Sequence, residues 1–178
     1  MRLFFVRHGQ SNYNERQLCN DDPDDDVHLT QTGILQAEGA GLALQHVPLQ
    51  LICTSPLPRA RQTAEIINRH HNLPIRIVPG LRDIRSGFNG KPVSDYFAAI
   101  AHAPLSARPP GGESLLDYKA FILATLQALC AEPVNTILAV AHEETLRIVH
   151  AWFHRIGDDQ LRDLHFANGQ VLEFNPTP

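Results

Sequence analysis

Two stretches of this sequence share one plan: Phe4-Phe5-Val6-Arg7-His8 and, much later, Leu138-Ala139-Val140-Ala141-His142. Each is an apolar run that predicts a short buried β-strand, and each ends in a histidine. In open parallel sheets, ligands bind beyond the carboxyl ends of the strands, where the strand order switches. We therefore expect both histidines to lie at one edge of a parallel sheet.

Strand and helix patterns alternate along the rest of the chain. Strands are predicted at residues 3–6, 51–53, 75–78, 136–141 and 171–174, and helices at 29–46, from Ser55 onward, 93–101, 114–130 and 143–153. In the helix at 114–130, the apolar face consists of Leu115, Tyr118, Ile122, Leu126 and Leu129. This alternation predicts a three-layer α/β/α sandwich around a mostly parallel sheet. Since no linker or repeat interrupts it, residues 1–178 are expected to form a single domain.

Composition narrows the class of protein. The chain has 178 residues, 43% of them hydrophobic and 19% charged, with a formal net charge of −4. That charge argues against a broad basic face and so against nucleic-acid binding. No stretch approaches the length needed to span a membrane. The 3 cysteines are an odd number without metal-type spacing, which favours a reducing compartment, and we expect a cytoplasmic protein.

Cationic and small residues surround the first histidine. After the strand, the turn Arg7-His8-Gly9-Gln10-Ser11 is expected to aim backbone N–H groups at an anion, with Gly9 leaving space for its close approach. Arg59 falls in the first turn of the helix that Ser55 is predicted to cap. Its charge opposes the helix dipole there, and a neighbouring anion would remove that conflict. One histidine in such a place is ordinarily structural, but two with arginines beside them favour a site.

These residues resemble the histidine phosphatase superfamily, also called phosphoglycerate mutase-like. Its hallmark Arg-His-Gly stands at 7–9, within Val6-Arg7-His8-Gly9-Gln10-Ser11-Asn12-Tyr13-Asn14. Further similar segments follow in order: Leu29-Thr30 with Gly33, Gln36 and Ala37; Ser55-Pro56-Leu57-Pro58-Arg59-Ala60 with Gln62-Thr63-Ala64; Leu81-Arg82-Asp83 with Gly87 and Gly90; Pro110-Gly111-Gly112-Glu113-Ser114; and Ala141-His142. The resemblance covers nearly the whole chain.

The resemblance implies a role for each matching residue. His8 would be the nucleophile that forms a phosphohistidine, which splits one transfer into two steps. The groups that would bind the phosphoryl oxygens are Arg7, Ser11, Asn14, Arg59 and His142. Phosphoryl transfer depends mainly on positioning and electrostatic stabilisation, so a cluster of cations suffices. No metal and no cofactor are implied.

Two carboxylates compete for the role of general acid. Asp83 stands where the family's phosphatases and mutases place their proton donor, although many relatives have glutamate there. Glu143 follows His142 directly, and the acid phosphatases of the superfamily place their donor at that position. A carboxylate in the first turn of a helix also has a purely structural reading. The sequence leaves the choice between Asp83 and Glu143 open.

The acidic run Asp21-Asp22-Pro23-Asp24-Asp25-Asp26 lacks the alternation, the glycine and the distal glutamate of a calcium loop. We interpret it as a solvated loop. If it borders the site, it should disfavour highly anionic substrates.

The leading hypothesis is a phosphomonoesterase for a small phosphorylated metabolite, because residues 110–114 resemble the branch of α-ribazole phosphatase and broad-specificity phosphatases. A cofactor-dependent phosphoglycerate mutase is the second hypothesis. Those enzymes have a longer region between the acid and the second histidine, whereas this chain has a compact one. A protein phosphohistidine phosphatase is disfavoured by the presence of Asp83. A non-catalytic phospho-ligand binding module is disfavoured by the retention of the full His8 cluster. The sequence indicates neither the natural substrate nor the oligomeric state.

Overall fold

The computed structural model describes residues 1–176, which form two helical layers around one sheet. The strands are β1 (Arg2–Arg7), β2 (Leu51–Thr54), β3 (Ile75–Ile77), β4 (Thr136–Ala141) and β5 (Val171–Phe174). The α-helices are α1 (Asn12–Glu15), α2 (Gln31–Leu44), α3 (Pro58–Asn68), α4 (Val93–Ile100), α5 (Leu115–Cys130) and α6 (Glu143–His154). Short 3₁₀ helices occupy Pro79–Leu81 and Asp158–Asp163.

The sheet has the strand order β3-β2-β4-β1-β5. The pairs β1–β4, β2–β4 and β2–β3 are parallel, and β5 runs antiparallel to β1 at one edge. This architecture confirms the predicted mostly parallel α/β sandwich. The chain crosses from one half of the sheet to the other between β1 and β4, which is where a switch point places a ligand site.

Alternation along the central strands explains the three layers. In β1, Leu3 and Phe5 pack in one core with α5 and α6. Phe4 and Val6 point the other way and pack in a second core with α2 and α3. Because side chains on a strand alternate in direction, one apolar run supplies both cores. The predicted face of α5 is buried at all of its positions, Leu115, Tyr118, Ile122, Leu126 and Leu129.

The prediction that Ser55 caps α3 was wrong. The helix begins at Pro58, and Leu57 is its N-cap without a side-chain hydrogen bond. Ser55 lies earlier, where its Oγ accepts from the Leu57 N–H at 3.2 Å. Proline at the first helical position has no N–H that needs a cap, so the hydroxyl of Ser55 is available elsewhere.

Among the helices of residues 1–176, none has both the length and the apolar character needed to cross a lipid bilayer.

Candidate active site

The two histidines meet at the carboxyl edge of the sheet, as the sequence predicted. Arg7 and Ala141 are register partners of the parallel strands β1 and β4, and His8 and His142 come next. Their ring centroids are 5.1 Å apart. The His8 N–H donates to the Ala141 carbonyl at 3.0 Å, so the parallel pairing itself continues up to the nucleophile candidate.

A backbone carbonyl fixes the proton on His8. Nδ1 lies 2.7 Å from the carbonyl oxygen of Gly9, and because a carbonyl only accepts, Nδ1 carries the hydrogen. Nε2 therefore has a free lone pair, which accepts from Nε of Arg59 at 3.0 Å. Burial, followed by the charge of Arg59, holds the pKa of His8 well below its usual range. His8 is thus neutral, with Nε2 as its available nucleophilic atom.

The loop after β1 is held by close packing. The Gly9 N–H donates to Oγ1 of Thr63 at 3.1 Å, and the Asn168 side chain donates to the His8 carbonyl at 2.9 Å. A Cβ on Gly9 would lie 2.2 Å from the carbonyl oxygen of Gly33. The expectation that Gly9 makes room for an anion is thereby corrected, because its missing side chain makes room for α2.

Arg59 is the most enclosed cation of the site, with 4% of its surface exposed. Its Nη1 donates to Oδ1 of Asn20 at 2.7 Å, and its Nη2 donates to the Asn20 carbonyl and to Oδ2 of Asp83, both at 3.0 Å. Asp83 is thus the anion that offsets an arginine at a helix N-terminus. The guanidinium of Arg59 lies within hydrogen-bond distance of both histidines.

One guanidinium nitrogen of Arg7 is hydrogen-bonded, and another has no partner. Its Nη1 donates to the Phe166 carbonyl at 2.6 Å and lies 3.0 Å from Oε2 of Glu143. Its Nε is buried and has no hydrogen-bond partner within the described residues. A buried guanidinium N–H without a partner is costly unless a ligand accepts from it.

His142 is buried and neutral. Burial, with Arg59 and Arg7 adding to its effect, holds its pKa well below the usual range. Its Nε2 lies 2.7 Å from Oγ of Ser55. Its Nδ1 lies 3.4 Å from Nη2 of Arg59 and 3.4 Å from Oδ2 of Asp83, so this nitrogen faces both the cation and the carboxylate of the site.

The two candidate acids lie on either side of the histidines. Burial raises the pKa of Asp83, and Arg59 opposes the shift; Oδ1 of the same carboxyl accepts from the Ile84 N–H at 2.9 Å. Glu143 instead bridges two arginines, with Oε2 on Arg7 at 3.0 Å and Oε1 on Arg147 at 2.9 Å. Each candidate acid therefore forms an ion pair with one of the arginines of the site, Asp83 with Arg59 and Glu143 with Arg7.

Ser11 and Asn14 bond to each other. Ser11 caps α1, its Oγ accepts from the Asn14 N–H, and Oδ1 of Asn14 accepts from the Ser11 N–H at 3.0 Å. Both residues line the site cavity. Since Oδ1 of Asn14 is occupied, the amide NH₂ is the group that remains for a ligand.

The cavity at this edge has a volume of about 390 Å³, at the small end of ligand sites in proteins. Its lining includes the polar residues Arg7, His8, Arg59 and Asp83 and the apolar or aromatic residues Leu18, Ile84, Val93, Tyr96 and Phe97. In the part of the chain that the structure describes, none of the acidic-loop carboxylates lines the cavity. Two of these carboxylates form hydrogen bonds with neighbouring residues: Asp21 accepts from the Ser86 N–H at 2.9 Å, and Asp25 accepts from the Asn20 amide at 2.9 Å.

Several site residues were missed by the sequence reasoning. Asn20 holds Arg59, Ser55 orients His142, Asn168 holds the His8 carbonyl and Arg147 holds Glu143. Each acts through another side chain or the backbone, and nothing in its local sequence marks that contact. Within residues 1–176, no group of three or more His, Cys, Asp or Glu side chains is arranged to hold a metal ion.

A neutral histidine whose unprotonated nitrogen accepts from one arginine, with a second arginine nearby at the switch point of an α/β sandwich, is an arrangement suited to phosphoryl groups. The comparison with protein families agrees. The chain belongs to the histidine phosphatase superfamily (branch 1), whose family model matches residues 3–178.

Relatives include both phosphatases and mutases. The chain is 43% identical to the uncharacterized phosphatase PhoE of Bacillus subtilis over 167 residues, which cover 92% of this chain and 82% of that protein. It is 40% identical to a 2,3-bisphosphoglycerate-dependent phosphoglycerate mutase of Chlamydia pneumoniae over 212 residues, 97% of this chain and 92% of the mutase. The structure of α-ribazole phosphatase from Shigella flexneri superposes with a TM-score of 0.89 at 23% identity, over 99% of this chain and 91% of that one. This last likeness confirms the fold.

Proposed function

We propose that this chain is a phosphomonoester hydrolase that works through a phosphohistidine on Nε2 of His8, with a small phosphorylated substrate. The observation that carries the proposal is the 2.7 Å contact between Nδ1 of His8 and the Gly9 carbonyl. It leaves Nε2 unprotonated, beside Arg59 and in a buried site. Membership of the superfamily and the phosphatases among its relatives support the same activity.

Substrate binding would exchange partners within the site. A phosphate dianion between Arg7 and Arg59 takes the place that Asp83 holds on Arg59 at 3.0 Å. Asp83 then loses its strongest positive neighbour and faces a new negative charge, and both changes raise a carboxyl pKa. The carboxyl is thereby protonated when a proton is needed.

In the first chemical step, the Nε2 lone pair of His8 attacks phosphorus and the ester P–O bond breaks. Asp83 gives its proton to the leaving oxygen, so the alcohol departs neutral. In the second step, water attacks the phosphohistidine, Asp83 takes the water proton and the N–P bond breaks. Orthophosphate leaves and His8 is restored. Arg7, Arg59 and His142 stabilise the charge on the phosphoryl oxygens, and Asn14 and Ser11 help to orient them.

We assign the acid role to Asp83 rather than Glu143. Asp83 has one charged arginine partner, which the substrate removes. Glu143 would keep Arg147 at 2.9 Å even after releasing Arg7. Glu143 is therefore proposed to position Arg7.

The test is hydrolysis of p-nitrophenyl phosphate by the wild type, His8→Ala and His46→Ala, whose side chain is exposed. We expect turnover in the wild type and His46→Ala and a loss of at least about a thousandfold in His8→Ala. A phosphorylated protein trapped at alkaline pH should carry the phosphate on His8. Undiminished turnover by His8→Ala would refute the proposed nucleophile.

A cofactor-dependent mutase is the second candidate, favoured by the 40% identity to a phosphoglycerate mutase. Interconversion of phosphoglycerates that requires 2,3-bisphosphoglycerate, and exceeds hydrolysis, would establish it in place of the phosphatase.

A further inference from the structure

The first turn of α6 places two carboxylates in the wall of the cavity. Glu143 and Glu144 both line it, beside Arg147 and His165. Oε2 of Glu144 is buried without a hydrogen-bond partner among residues 1–176. Burial raises the pKa of Glu144, and Arg147 and Arg162, which form ion pairs with this carboxyl at 2.8 and 3.0 Å, oppose that shift.

The cations near these carboxylates are already used. Arg147 is 6% exposed, and its three nitrogens donate to the Leu164 carbonyl at 2.7 Å, to Glu144 at 2.8 Å and to Glu143 at 2.9 Å. Nη1 of Arg162 donates to Oε1 of Glu144 at 3.0 Å. Away from Arg7 and Arg59, the described wall of the cavity offers no uncommitted arginine or lysine.

Part of the cavity wall is apolar and comes from α4. Val93, Tyr96 and Phe97 come from α4, and Phe97 also borders an adjoining cavity of about 240 Å³ that includes Ile100 and Pro104. Such a wall accepts an uncharged ring or chain and cannot solvate an ion. A second anionic group on the substrate would lose its hydration and would instead contact this apolar wall and the two glutamates.

We infer that the site selects phosphate monoesters whose leaving group is apolar and carries no second anionic group. The inference rests on the proposed phosphatase function and deepens it to a substrate class. Recognition divides in two: Arg7 and Arg59 take the one phosphate, whereas a further anionic group would meet the carboxylates of Glu143 and Glu144 and no uncommitted cation. The acidic loop is not needed for this exclusion, because its carboxylates turn away from the cavity.

The test compares two esters of similar size, 4-(methoxycarbonyl)benzyl phosphate and 4-carboxybenzyl phosphate. They differ by one methyl group and one negative charge, and their benzylic leaving groups are of similar basicity. We expect kcat/KM for the methyl ester to exceed that for the acid by about tenfold or more. Glycerol 1-phosphate, which is uncharged but polar beyond its phosphate, should also be a poorer substrate than the methyl ester.

Glu144→Gln probes the source of the selectivity. The amide keeps a hydrogen-bond acceptor for Arg147 but removes one negative charge from the wall. We expect kcat/KM for the acid to rise about threefold or more, while that for the methyl ester stays within about twofold. Glu65→Gln, at an exposed position of α3, removes the same charge far from the cavity and should leave both values unchanged.

Phe97→Ala tests the apolar wall. The side chain is 44% exposed, so the fold should tolerate its loss, and the preference for the methyl ester over glycerol 1-phosphate should shrink severalfold. Trp152→Ala, which removes an aromatic side chain that is 56% exposed on α6, is the matched control.

The outcomes separate the two proposals. Equal or better hydrolysis of the acid, or an unchanged preference in Glu144→Gln, overturns the inference while the phosphatase function stands. Absence of hydrolysis of every ester overturns the proposed function, and the substrate class with it.

Discussion

One carbonyl oxygen, that of Gly9, decides which nitrogen of His8 carries the proton. The contact of 2.7 Å to Nδ1 follows from the turn after β1. The sequence pointed to His8 through its place after an apolar strand, but could not show the tautomer, because that depends on the turn's backbone direction. The same limit applies to Asn20 and Ser55. Their contacts to Arg59 and His142 join residues far apart in the sequence.

The choice between the two acids can be decided by leaving-group dependence. Asp83→Asn should lower kcat/KM for an alkyl phosphate by about a hundredfold or more, because an alkoxide needs a proton to leave. The loss should be much smaller for p-nitrophenyl phosphate, whose phenolate leaves unprotonated. Glu143→Gln should lower kcat/KM for both substrates by a similar factor, because it disturbs the position of Arg7 and not the transfer of the proton to the leaving group.

Asp24→Asn, at an exposed position of the acidic loop, is the control for loss of an aspartate. If Glu143→Gln shows the leaving-group dependence and Asp83→Asn does not, the acid assignment is reversed.

The buried state of His8 predicts a pH dependence of stability. Its folded pKa lies well below the usual value, near 6.5 in unfolded chains. As pH falls below about 6.5, the unfolded chain takes up a proton that folded His8 refuses. The contribution to the free energy of unfolding is therefore present above that pH and is lost below it, by up to about 1.4 kcal/mol per pH unit.

Urea unfolding of the wild type and His8→Gln between pH 8 and pH 5 checks this. The stability of the wild type relative to the variant should decrease toward pH 5. His46→Gln, at an exposed position, should show a constant difference. A pH-independent difference for His8→Gln would mean that its folded pKa is ordinary.

At the scale of elements, the contact between the β1 turn and α2 depends on two glycines. A Cβ on Gly33 would lie 2.0 Å from the carbonyl oxygen of Gln10, whereas a Cβ on Gly39 of the same helix would have nothing within 4 Å. Gly33→Ala should therefore lower the free energy of unfolding by about 1–3 kcal/mol through overpacking. Gly39→Ala should raise it by up to about 1 kcal/mol, since alanine favours helix.

Denaturant unfolding of both variants measures these changes, and Gly33→Ala should also lose phosphatase activity because the turn carries His8. If the Gly33→Ala and Gly39→Ala proteins had the same free energy of unfolding, the turn after β1 would be shown to shift without loss of stability.

Elements with strong periodicity were predictable, and their junctions were not. The apolar spacing of α5 gave its buried face, because burial against a sheet requires that spacing. The start of α3 was misplaced, because Ser55 has the chemistry of a cap but serves His142 instead. Local residue type cannot distinguish these uses, since the competing partner comes from β4.

At the scale of the whole molecule, the site joins parts of the chain that meet only in the folded sheet. Arg7 and His8 follow β1, Arg59 begins α3, and His142 follows β4. The alternation of strand and helix patterns in the sequence was enough to predict the sandwich, which the strand order and the TM-score of 0.89 confirm. The cavity wall on α4 was not predictable, because it depends on how that helix packs across the site.

A ligand that binds between these elements should stabilise the entire fold. Orthophosphate at a hundred times its Kd should add about 2.7 kcal/mol to the free energy of unfolding. Arg59→Gln should lose most of this gain because it removes a phosphate-binding cation. Arg61→Gln, exposed on the same helix, should keep it. Thermal unfolding with and without orthophosphate measures both, and an equal shift in the two variants would place phosphate elsewhere.

The resident carboxylates on Arg7 and Arg59 also bear on how the cycle ends. Asp83 and Glu143 lie 3.0 Å from these arginines, so orthophosphate formed in the site must compete with two internal substitutes for the same guanidinium groups. In the proposed reaction, their return to the arginines should help to expel the product. We therefore expect weak product inhibition, with turnover that persists where free orthophosphate is abundant.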